Sequence, residues 1–452
     1  MLLKNSIKYI LSSATSKLGA LILLPIYIKY LSVEDFGYFY LCLLLINVFG
    51  AIGNLGVLNS LEVFINKDEV DKHVFFSSTV SITLIGTFSL SLFIFLIGLL
   101  FKIKITFLLA FLFLFLLRTF FTLFQRFNSS ILDATRFFKN DFLFTVLNLV
   151  SSSFVLIYCD NKILFLFLAQ SFSLFFILIN ESIKYYKYLI NPKLQLMKDI
   201  FSYSLPLLGH TLLNLLPSIL DKLIIKYFIG DKSLGYYSMS LQIGDIQNIL
   251  TTAFNKSFAP IFHKSSKTLD LSKNILIVSY FFLFVGFIGS LFLNDVLSLI
   301  SDDKYLNSYN LIPIVVSAYT LNLWYYFNST FILGKTKKKL GSKIIFKISL
   351  ENTIITILLI IISVPLFGIK GAIYCFLFSK ILLTYRVTKK SEIIKNNFKN
   401  YMFFLANTIT LLFVSVQAQS LMLLFKILIL IIISAYMIYL FRILKIRNSR
   451  IN

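Results

Sequence analysis

Charged residues are scarce in this chain of 452 residues. They make up 14% of the sequence, whereas hydrophobic residues make up 58% and the mean hydropathy is +0.85. A soluble globular protein carries about 25% charged residues. The shortage excludes a set of water-soluble domains, because too little polar surface is available to cover them. It favours a chain whose outer surface faces lipid.

The sequence also lacks the motifs of several functional classes. Its three cysteines, Cys42, Cys159 and Cys375, are far apart, which excludes a disulfide framework and a zinc site. It contains no Walker A loop, HExxH motif or GxSxG motif. No predicted loop exceeds about 20 residues, which is too short for a soluble catalytic domain. We therefore expect no bound metal, no cofactor and no enzymatic activity, and a function carried out within the bilayer.

Long apolar runs are abundant instead. A helix needs about 20 predominantly apolar residues to cross the hydrocarbon core, and about fourteen segments of the sequence approach or exceed that length. The sequence therefore predicts an all-α integral membrane protein with about 14 transmembrane helices. The predicted spans are residues 7–30, 36–65, 75–101, 105–126, 142–159, 163–183, 200–229, 235–262, 274–299, 310–334, 342–364, 371–390, 401–418 and 421–441.

The basic residues are distributed unevenly between the two sides of these spans. The formal net charge is +23. With a cytoplasmic N-terminus, about 28 basic loop residues lie on the cytoplasmic side and about 8 on the opposite side. This distribution predicts an even number of spans and places both termini in the cytoplasm. It assigns most of the positive charge to membrane topology, so we expect no nucleic-acid partner.

Two segments of the sequence resemble each other. Residues 28–38 read IKYLSVEDFGY and residues 225–236 read IKYFIGDKSLGY, and each segment ends one predicted span and begins the next. They are six predicted spans apart, so both copies have the same orientation, as in a parallel transporter repeat. The repeat predicts two six-helix lobes, residues 1–190 and 191–395, followed by two additional helices and a basic cytoplasmic tail in residues 396–452. Chance similarity between two loops rich in Ile, Lys and Tyr is the alternative.

The first predicted span of each lobe contains proline. Pro25 lies in the first span, and Pro206 and Pro217 lie in the seventh. Proline removes a backbone hydrogen bond and bends a helix, and such breaks often line the substrate path of transporters. We predict gating bends at these three prolines, with a tolerated kink against a neighbouring helix as the alternative.

Ionisable residues occur within the predicted spans. A charge at the bilayer centre costs at least about 2.5–3.5 kcal/mol, so each should face protein or water. The basic residues outnumber the acidic ones, which favours a cavity that attracts an anion such as a phosphate group. The basic residues are Lys17, Arg118, Lys222, Lys256, Lys347, Lys380 and Lys426, and the acidic residues are Glu62, Asp221, Asp245 and Glu351.

We predict an anion site formed by four of these basic residues, namely Lys17, Arg118, Lys256 and Lys222. Lys17 lies midway along the first span, which makes it the strongest single candidate. Arg118 has a planar guanidinium that suits phosphate. The alternative for Lys256 is that its ammonium extends to the membrane interface.

The four acidic residues are candidates for ion coupling: Asp221, Glu62, Asp245 and Glu351. Asp221 and Lys222 are adjacent, so we expect their side chains to point in different directions and not to pair. Lys347 and Glu351 are four residues apart, so a local ion pair is the alternative to a coupling role for Glu351.

Two asparagines lie on the predicted second span. Positions 47 and 54 are seven residues apart, which places Asn47 and Asn54 on one face of a helix. We expect both side chains to form hydrogen bonds with a neighbouring helix.

Several short motifs occur in order along nearly the whole chain. In the first half these are LPIY at 24–27, YLSVEDFGY at 30–38 and GNLGV at 53–57. In the second half they are YSLP at 203–206, DKLII at 221–225, LGYY at 234–237 and VPLFGIKGA at 364–372. Together they resemble the motifs of the polysaccharide-biosynthesis flippases of the Wzx O-antigen type. That family lies in the same broad superfamily as MATE exporters and lipid II flippases, and it usually shows twelve spans where we count fourteen.

The resemblance implies a function and a location. It implies a flippase that moves an undecaprenyl-pyrophosphate-linked oligosaccharide, the repeat unit of an O-antigen, capsule or exopolysaccharide, across the bacterial inner membrane. Transport would run from the cytoplasmic to the periplasmic leaflet by alternating access, coupled to an ion gradient. The implied partners are this substrate, membrane lipids, and the glycan polymerase and chain-length regulator.

Two other functions are open alternatives at this point. A cation-coupled multidrug exporter of the same fold would favour an acidic interior, whereas basic residues are in excess here. A membrane-embedded glycan polymerase would carry a large outer loop, whereas the longest predicted outer loop has about 16 residues, fewer than any domain.

Overall fold

The protein is almost entirely helical. The computed structural model describes residues 15, 19–61, 65, 71–189, 191–264, 268–301, 304–335, 338–391 and 397–449, and no strand occurs in these ranges. The long helices are α1 (Gly19–Tyr30), α2 (Val33–Gly53), α3 (Lys72–Leu100), α4 (Ile105–Ser130), α5 (Ala134–Tyr158), α6 (Lys162–Tyr185), α7 (Leu194–Ile229), α8 (Asp231–Lys264), α9 (Thr268–Ser301), α10 (Ile312–Lys335), α11 (Lys338–Lys390), α12 (Asn397–Gln417) and α13 (Leu423–Ser449).

The helices have the length and composition of membrane spans. In the described residues, eight are long and apolar enough to cross a bilayer: α2 to α6, residues 276–299 of α9, α11 and α12. Two shorter apolar helices, Gly19–Tyr30 and Leu423–Met437, accompany them. Many large apolar side chains on these helices are exposed, as expected for a surface that faces lipid. The predicted all-α membrane fold is confirmed.

Compact packing divides the chain into two units, Met1–Ile219 and Leu220–Asn452. The predicted lobes 1–190 and 191–395 and the additional segment 396–452 stay a prediction. Both copies of the repeated motif have a similar local structure, a tight junction between two helices. Only Leu31 and Ser32 separate α1 from α2, and only Gly230, with φ of 99°, separates α7 from α8. A residue without a Cβ adopts that positive φ without strain.

In the first unit, α2, α3 and α4 pack closely through glycine. A Cβ on Gly86 of α3 would lie 2.2 Å from the carbonyl oxygen of Gly53 at the end of α2. A Cβ on Gly53 would lie 3.2 Å from the ring of Phe115 on α4. Small residues of this kind allow helix backbones to approach in a membrane, where packing replaces the hydrophobic effect as the driving force.

The predicted second span, 36–65, was too long. Helix α2 ends at Gly53 because the side chain of Asn54 forms a cap: its Oδ1 accepts from the N–H of Gly56 at 2.9 Å, and its Nδ2 donates to the carbonyl of Gly50 at 2.7 Å. Gly56 then turns the chain with a φ of 75°. The expectation that Asn54 bridges two helices was therefore wrong.

The predicted fifth span, 142–159, was too short at its N-terminal end. Helix α5 begins at Ala134, because the carboxylate of Asp133 accepts a hydrogen bond from the N–H of Arg136 at 3.1 Å and caps the helix. The helix therefore begins in sequence that contains Arg136 and Lys139, which we had assigned to a loop.

The predicted spans 342–364 and 371–390 form the two arms of α11. The chain reverses at Gly368, whose φ is 61° and ψ is −145°. A Cβ on Gly371 would lie 2.4 Å from the carbonyl oxygen of Ser363, which shows how closely the arms meet. Farther along, Ser379 accepts hydrogen bonds from Asn352 at 2.9 Å and from Thr356 at 2.7 Å. Polar contacts thus join the two arms.

The last two helices pack against α9 and α10 of the second unit. Trp324 of α10 contacts Tyr401 and Phe404 of α12, each with its ring centroid 5.6 Å away. At the start of α13, Lys426 is buried, and its ammonium contacts both carboxylate oxygens of Asp295 at 2.9 and 2.8 Å. Apolar packing and the ion pair of a buried lysine therefore fix these helices to the same unit.

Candidate functional site

Four of the predicted site residues have no described side chain. Lys17 and Glu62 lie outside the described residues. For Lys256 and Pro206, only the positions within α8 and α7 are described. Their proposed roles in anion binding, ion coupling and gating stay predictions. The other predicted residues have described side chains and fall into five groups.

Arg118 lies close to the midpoint of α4. Because α4 runs from Ile105 to Ser130, Arg118 is about 20 Å from the first residue of the helix and about 18 Å from the last. Its Nε donates to Oδ1 of Asn47 on α2 at 3.2 Å. Arg118 is half-buried and Asn47 is exposed, so the pair lies at an accessible surface of the first unit. The amide is neutral, so this contact leaves the positive charge of the guanidinium uncompensated.

Asp221 and Lys222 form a buried cluster with Tyr237. One carboxylate oxygen of Asp221 accepts from the Tyr237 hydroxyl at 2.6 Å. The other accepts from the backbone N–H of Lys222 at 2.6 Å and lies 3.5 Å from the Lys222 ammonium. The expectation that these neighbours do not pair was wrong, because the long lysine side chain folds back to its neighbour. The ammonium also lies 5.4 Å from the centroid of the Tyr237 ring.

Asp245 lies in a second polar network between α8 and α10. Its Oδ1 accepts from the side chain of Asn248 at 2.8 Å. The amide oxygen of Asn248 in turn accepts from Asn322 at 3.3 Å and from Tyr326 at 3.4 Å. Asp245 therefore has neutral hydrogen-bond partners and is half-buried. Asn248, Asn322 and Tyr326 were not predicted from the sequence, because a single polar residue in an apolar span does not indicate which residue it contacts on another helix.

Two residues lie within electrostatic range of Asp245. One is Lys380, whose ammonium lies 5.4 Å from the centroid of the Phe376 ring. The other is Tyr319, which packs edge-on against Phe376 and also lies within electrostatic range of Asp221. Tyr319 therefore lies within electrostatic range of both carboxylates of the second unit.

Glu351 is paired, but with a different residue from the predicted one. Its Oε2 accepts from Nη1 of Arg386, on the other arm of α11, at 2.9 Å. Lys347, the predicted partner, is exposed. The hairpin of α11 brings residues 351 and 386 together, and no spacing rule along a single helix could have shown this.

A buried acidic residue that the sequence analysis missed lies in the first unit. Glu181 of α6 is fully buried and forms an ion pair with Nε of Arg136. Its other carboxylate oxygen accepts from Asn128 at 3.0 Å, and the Asn128 side chain accepts from the Tyr185 hydroxyl at 2.5 Å. The cluster links the end of α4, the start of α5 and the end of α6. Its polar groups are satisfied by protein partners, which favours a structural role.

The prolines lie inside helices. Pro25 and Pro217 are half-buried, and the residues around each, like those around Pro206, are helical on both sides. Helix α7 runs from Leu194 to Ile229 as one element through both of its prolines. Bends that contribute to gating at these positions stay a prediction.

The comparisons with known proteins identify the family. A family model described as "Polysaccharide biosynthesis protein" matches residues 2–266, which is more than half of the chain. The chain belongs to this family. The predicted family relationship is therefore confirmed. No curated protein sequence matches the chain.

Solved structures share the fold over nearly the whole chain. The lipid II flippase MurJ in an inward closed conformation has a TM-score of 0.68 and 14% sequence identity, covering 97% of this chain and 98% of that chain. A multidrug resistance MATE family transporter of the MOP superfamily gives a TM-score of 0.60 at 13% identity in its inward-facing conformation, covering 87% of this chain and 95% of that chain. A MATE family transporter in its outward-facing conformation has a TM-score of 0.55 at 13% sequence identity, covering 90% of this chain and 95% of that chain.

At these identities the likeness shows the fold. This member of the polysaccharide biosynthesis protein family is a multi-pass membrane protein with the fold of MurJ and of the MATE transporters. The structures that it resembles are flippases and transporters rather than enzymes.

Proposed function

We propose that the protein is a flippase that moves an undecaprenyl-pyrophosphate-linked oligosaccharide from the cytoplasmic to the periplasmic leaflet of the bacterial inner membrane. Membership of the polysaccharide biosynthesis family and the fold of a lipid II flippase support a lipid-linked substrate. The observation that carries the proposal is the position of Arg118 at the middle of a membrane helix, with a neutral amide as its hydrogen-bond partner.

A positive charge at this depth requires a specific environment. It is costly in hydrocarbon and is retained where it faces a water-filled cavity or a partner of opposite charge. The pyrophosphate of the substrate supplies that partner when it passes Arg118. A guanidinium can bind phosphate oxygens through two parallel hydrogen bonds, which a neutral amide cannot replace. Lys17 and Lys256 are proposed as further anion contacts.

The charges within the spans favour an anionic substrate over a cationic drug. Asp221 has Lys222, Glu351 has Arg386 and Glu181 has Arg136 as basic partners. These carboxylates are already compensated within the protein, whereas the Asn47 contact leaves Arg118 uncompensated. A cation exporter would hold most of its carboxylates by neutral partners, whereas among these three carboxylates and Asp245, all with described side chains, this applies to Asp245 alone.

We propose Asp245 as the principal site of ion coupling. Among the acidic candidates with described side chains, it is the one without an ion pair to a basic residue, since its side chain accepts from the neutral amide of Asn248. It also lies within electrostatic range of Lys380. A carboxylate in this setting can take up and release a proton or a sodium ion during alternating access. We propose that Asp221 responds to the same uptake and release of an ion, because Tyr319 lies within electrostatic range of both carboxylates. Glu62 is a further proposed site, and Glu351 is a weaker one because Arg386 holds it.

The wider setting follows from this proposal. Cytoplasmic termini place the basic loops on the side where the lipid-linked unit is assembled. The glycan polymerase and the chain-length regulator are proposed as partners because they would use the unit on the periplasmic side. The repeat unit is proposed to be that of an O-antigen, a capsule or an exopolysaccharide.

The proposal is tested with the purified full-length protein in lipid vesicles. Undecaprenyl-pyrophosphate-linked oligosaccharide is incorporated, and its movement between leaflets is followed by its accessibility to a membrane-impermeant glycosidase. We expect movement that depends on the protein and exceeds that in empty vesicles. Efflux of a lipophilic cationic dye without movement of the oligosaccharide would instead identify a multidrug exporter.

A further inference from the structure

A polar cavity lies at one end of the first unit. Its volume is about 580 Å³, within the range of small-ligand sites. It is formed by the first turns of α2, the α3–α4 link and the α5–α6 link, which together contribute Asp35, Tyr38, Lys104, Asp160 and Asn161. The loop charges assign this end of the helices to the periplasmic side. The cavity is far from Arg118, which is about 20 Å along α4 from the N-terminal end of that helix.

The charges that line the cavity are balanced. Asp35 and Asp160 supply two carboxylates, and Lys104 and Lys162 supply two ammonium groups. The Lys162 ammonium is already bound, since it donates to the carbonyl of Tyr30 at 2.6 Å. A phosphate site needs an excess of positive charge or a guanidinium fork, and this cavity contains neither. A cation site would need carboxylates without neighbouring ammonium groups. The lining therefore suits a neutral polar ligand.

The remaining lining groups suit a ligand with many hydroxyls and an apolar face. Carboxylate and amide side chains both accept hydrogen bonds, and the amide of Asn161 and the ammonium of Lys104 donate them. Tyr38 and Phe107 offer a pair of rings whose centroids are 5.7 Å apart. Sugar rings carry hydroxyls around their edges and C–H groups on their faces, so both features of the cavity match a saccharide.

The cavity is held in shape by local contacts. Ser32 caps α2 through a hydrogen bond from the N–H of Asp35 at 3.0 Å. In the α3–α4 link, the N–H of Ile103 donates to the carbonyl of Gly98 at 2.9 Å. Lys162 joins the start of α6 to the end of α1 through Tyr30. Each of the three lining segments is therefore held by hydrogen bonds within the protein, and such preorganisation lowers the entropy lost on binding.

We propose that this cavity is an exit subsite that binds neutral sugar units of the glycan on the periplasmic side. The proposal rests on the proposed function. The cavity would be a second recognition site, separate from the anion contact at Arg118. It would bind the sugar, whereas Arg118 binds the pyrophosphate. Binding there holds the glycan outside the membrane and opposes its return.

The proposal is tested by sugar binding to the purified full-length protein in detergent. The probes are maltotriose, chitotriose and the phosphate-free oligosaccharide released by mild acid from the host's own lipid-linked intermediates, with binding measured by saturation-transfer NMR. We expect at least one to bind with a Kd of about 1 mM, and the Tyr38→Ala and Asn161→Ala variants to weaken binding at least about tenfold. Tyr158→Ala is the matched control, because Tyr158 is exposed at the same end of the unit outside the cavity.

Three results would overturn the proposal. They are the absence of binding by all three probes, binding that is unchanged in both cavity variants, and preferential binding of inorganic pyrophosphate that is lost in Lys104→Ala. Placing the cavity on the cytoplasmic side by labelling an Asn161→Cys variant with membrane-impermeant maleimide would also contradict it. Movement of the lipid-linked unit without sugar binding would leave the proposed function intact, whereas sugar binding without movement would contradict that function alone.

Discussion

The guanidinium of Arg118 and the amide of Asn47 join the middle of α4 to α2 by a single hydrogen bond of 3.2 Å. This contact positions the guanidinium and leaves its positive charge uncompensated. A charged residue at position 47 would therefore test whether that charge is needed for transport. An Asn47→Asp substitution would keep nearly the same shape and place a carboxylate against the guanidinium. We expect it to reduce oligosaccharide movement at least about tenfold, because the internal ion pair competes with the pyrophosphate.

The control for this prediction is Asn47→Ala, which removes the hydrogen bond but leaves the charge of Arg118 available. We expect Asn47→Ala to retain most of the wild-type rate in the vesicle assay. An equal loss in both variants would show that Asn47 acts through structure, and the argument from charge would fail.

The Asp221 cluster makes a prediction about stability. Lys222→Met leaves a buried carboxylate without its ammonium, and breaking a buried pair in this way costs about 3–5 kcal/mol. Tyr237→Phe removes one hydrogen bond to the same carboxylate and should cost less, about 1–3 kcal/mol. Thermal unfolding in detergent should therefore give the order wild type, Tyr237→Phe, Lys222→Met, from most to least stable.

The double variant Asp221→Asn with Lys222→Met separates this account from a simple packing effect. Removing the charge of Asp221 should restore part of the stability lost in Lys222→Met. Tyr236→Phe, at the neighbouring tyrosine, is the matched control for Tyr237→Phe. If the double variant unfolds at a lower temperature than Lys222→Met, the ion pair is not the reason for the loss.

Asp245 makes a prediction about energy coupling. Asp245→Asn keeps the size of the side chain and its contact with Asn248, but it removes the negative charge that attracts a sodium ion and the carboxylate that takes up a proton. We expect the initial rate of movement in vesicles to lose its response to an imposed proton or sodium gradient. Asp231→Asn is the matched control, since Asp231 begins the same helix, is exposed and pairs with Lys226 at 2.9 Å. A gradient response in Asp245→Asn equal to that of the wild type would remove Asp245 from the coupling mechanism.

Gly86 makes a prediction about helix packing. A Cβ at this position would meet the backbone oxygen of Gly53 at 2.2 Å, and a backbone atom cannot move aside. We expect Gly86→Ala to lower the free energy of unfolding by about 1–3 kcal/mol, as overpacking does. Gly209→Ala on α7 should instead be neutral or stabilising by up to about 1 kcal/mol, because no atom lies within 4 Å and alanine favours a helix. If Gly86→Ala and Gly209→Ala both lowered the unfolding temperature, or both raised it, the close packing at Gly86 would be contradicted.

Much of the fold follows from the sequence. Runs of apolar residues predicted the helices, because helix formation in a membrane depends on local composition, whereas the orientation that the basic loops indicate stays a prediction. The predicted helix boundaries were wrong where the hydrogen bonds of a single side chain determine them. Asn54 ends α2 and Asp133 begins α5 through capping hydrogen bonds, and neither effect is visible in the average hydropathy of a segment.

The candidate site was predicted less completely. Arg118, Asp221 and Asp245 were identified as charges in spans, but their partners were not. Arg386 reaches Glu351 only because α11 reverses at Gly368. Glu181 was not predicted as a site residue, because it lies near the end of the predicted span 163–183, where a charge does not by itself indicate a buried site. The structure buries it fully. Pairing between helices depends on tertiary packing, which the spacing of residues along one helix does not determine.

The most direct test of the account is the rate at which vesicles containing the Arg118→Gln variant move undecaprenyl-pyrophosphate-linked oligosaccharide. The matched variants are Arg118→Lys, which retains a positive charge, and Arg126→Gln, which removes an exposed arginine from the end of the same helix. The account predicts at least about a tenfold loss in Arg118→Gln, partial activity in Arg118→Lys and wild-type activity in Arg126→Gln. A wild-type rate in Arg118→Gln would contradict the claim that an intramembrane cation recognises the pyrophosphate.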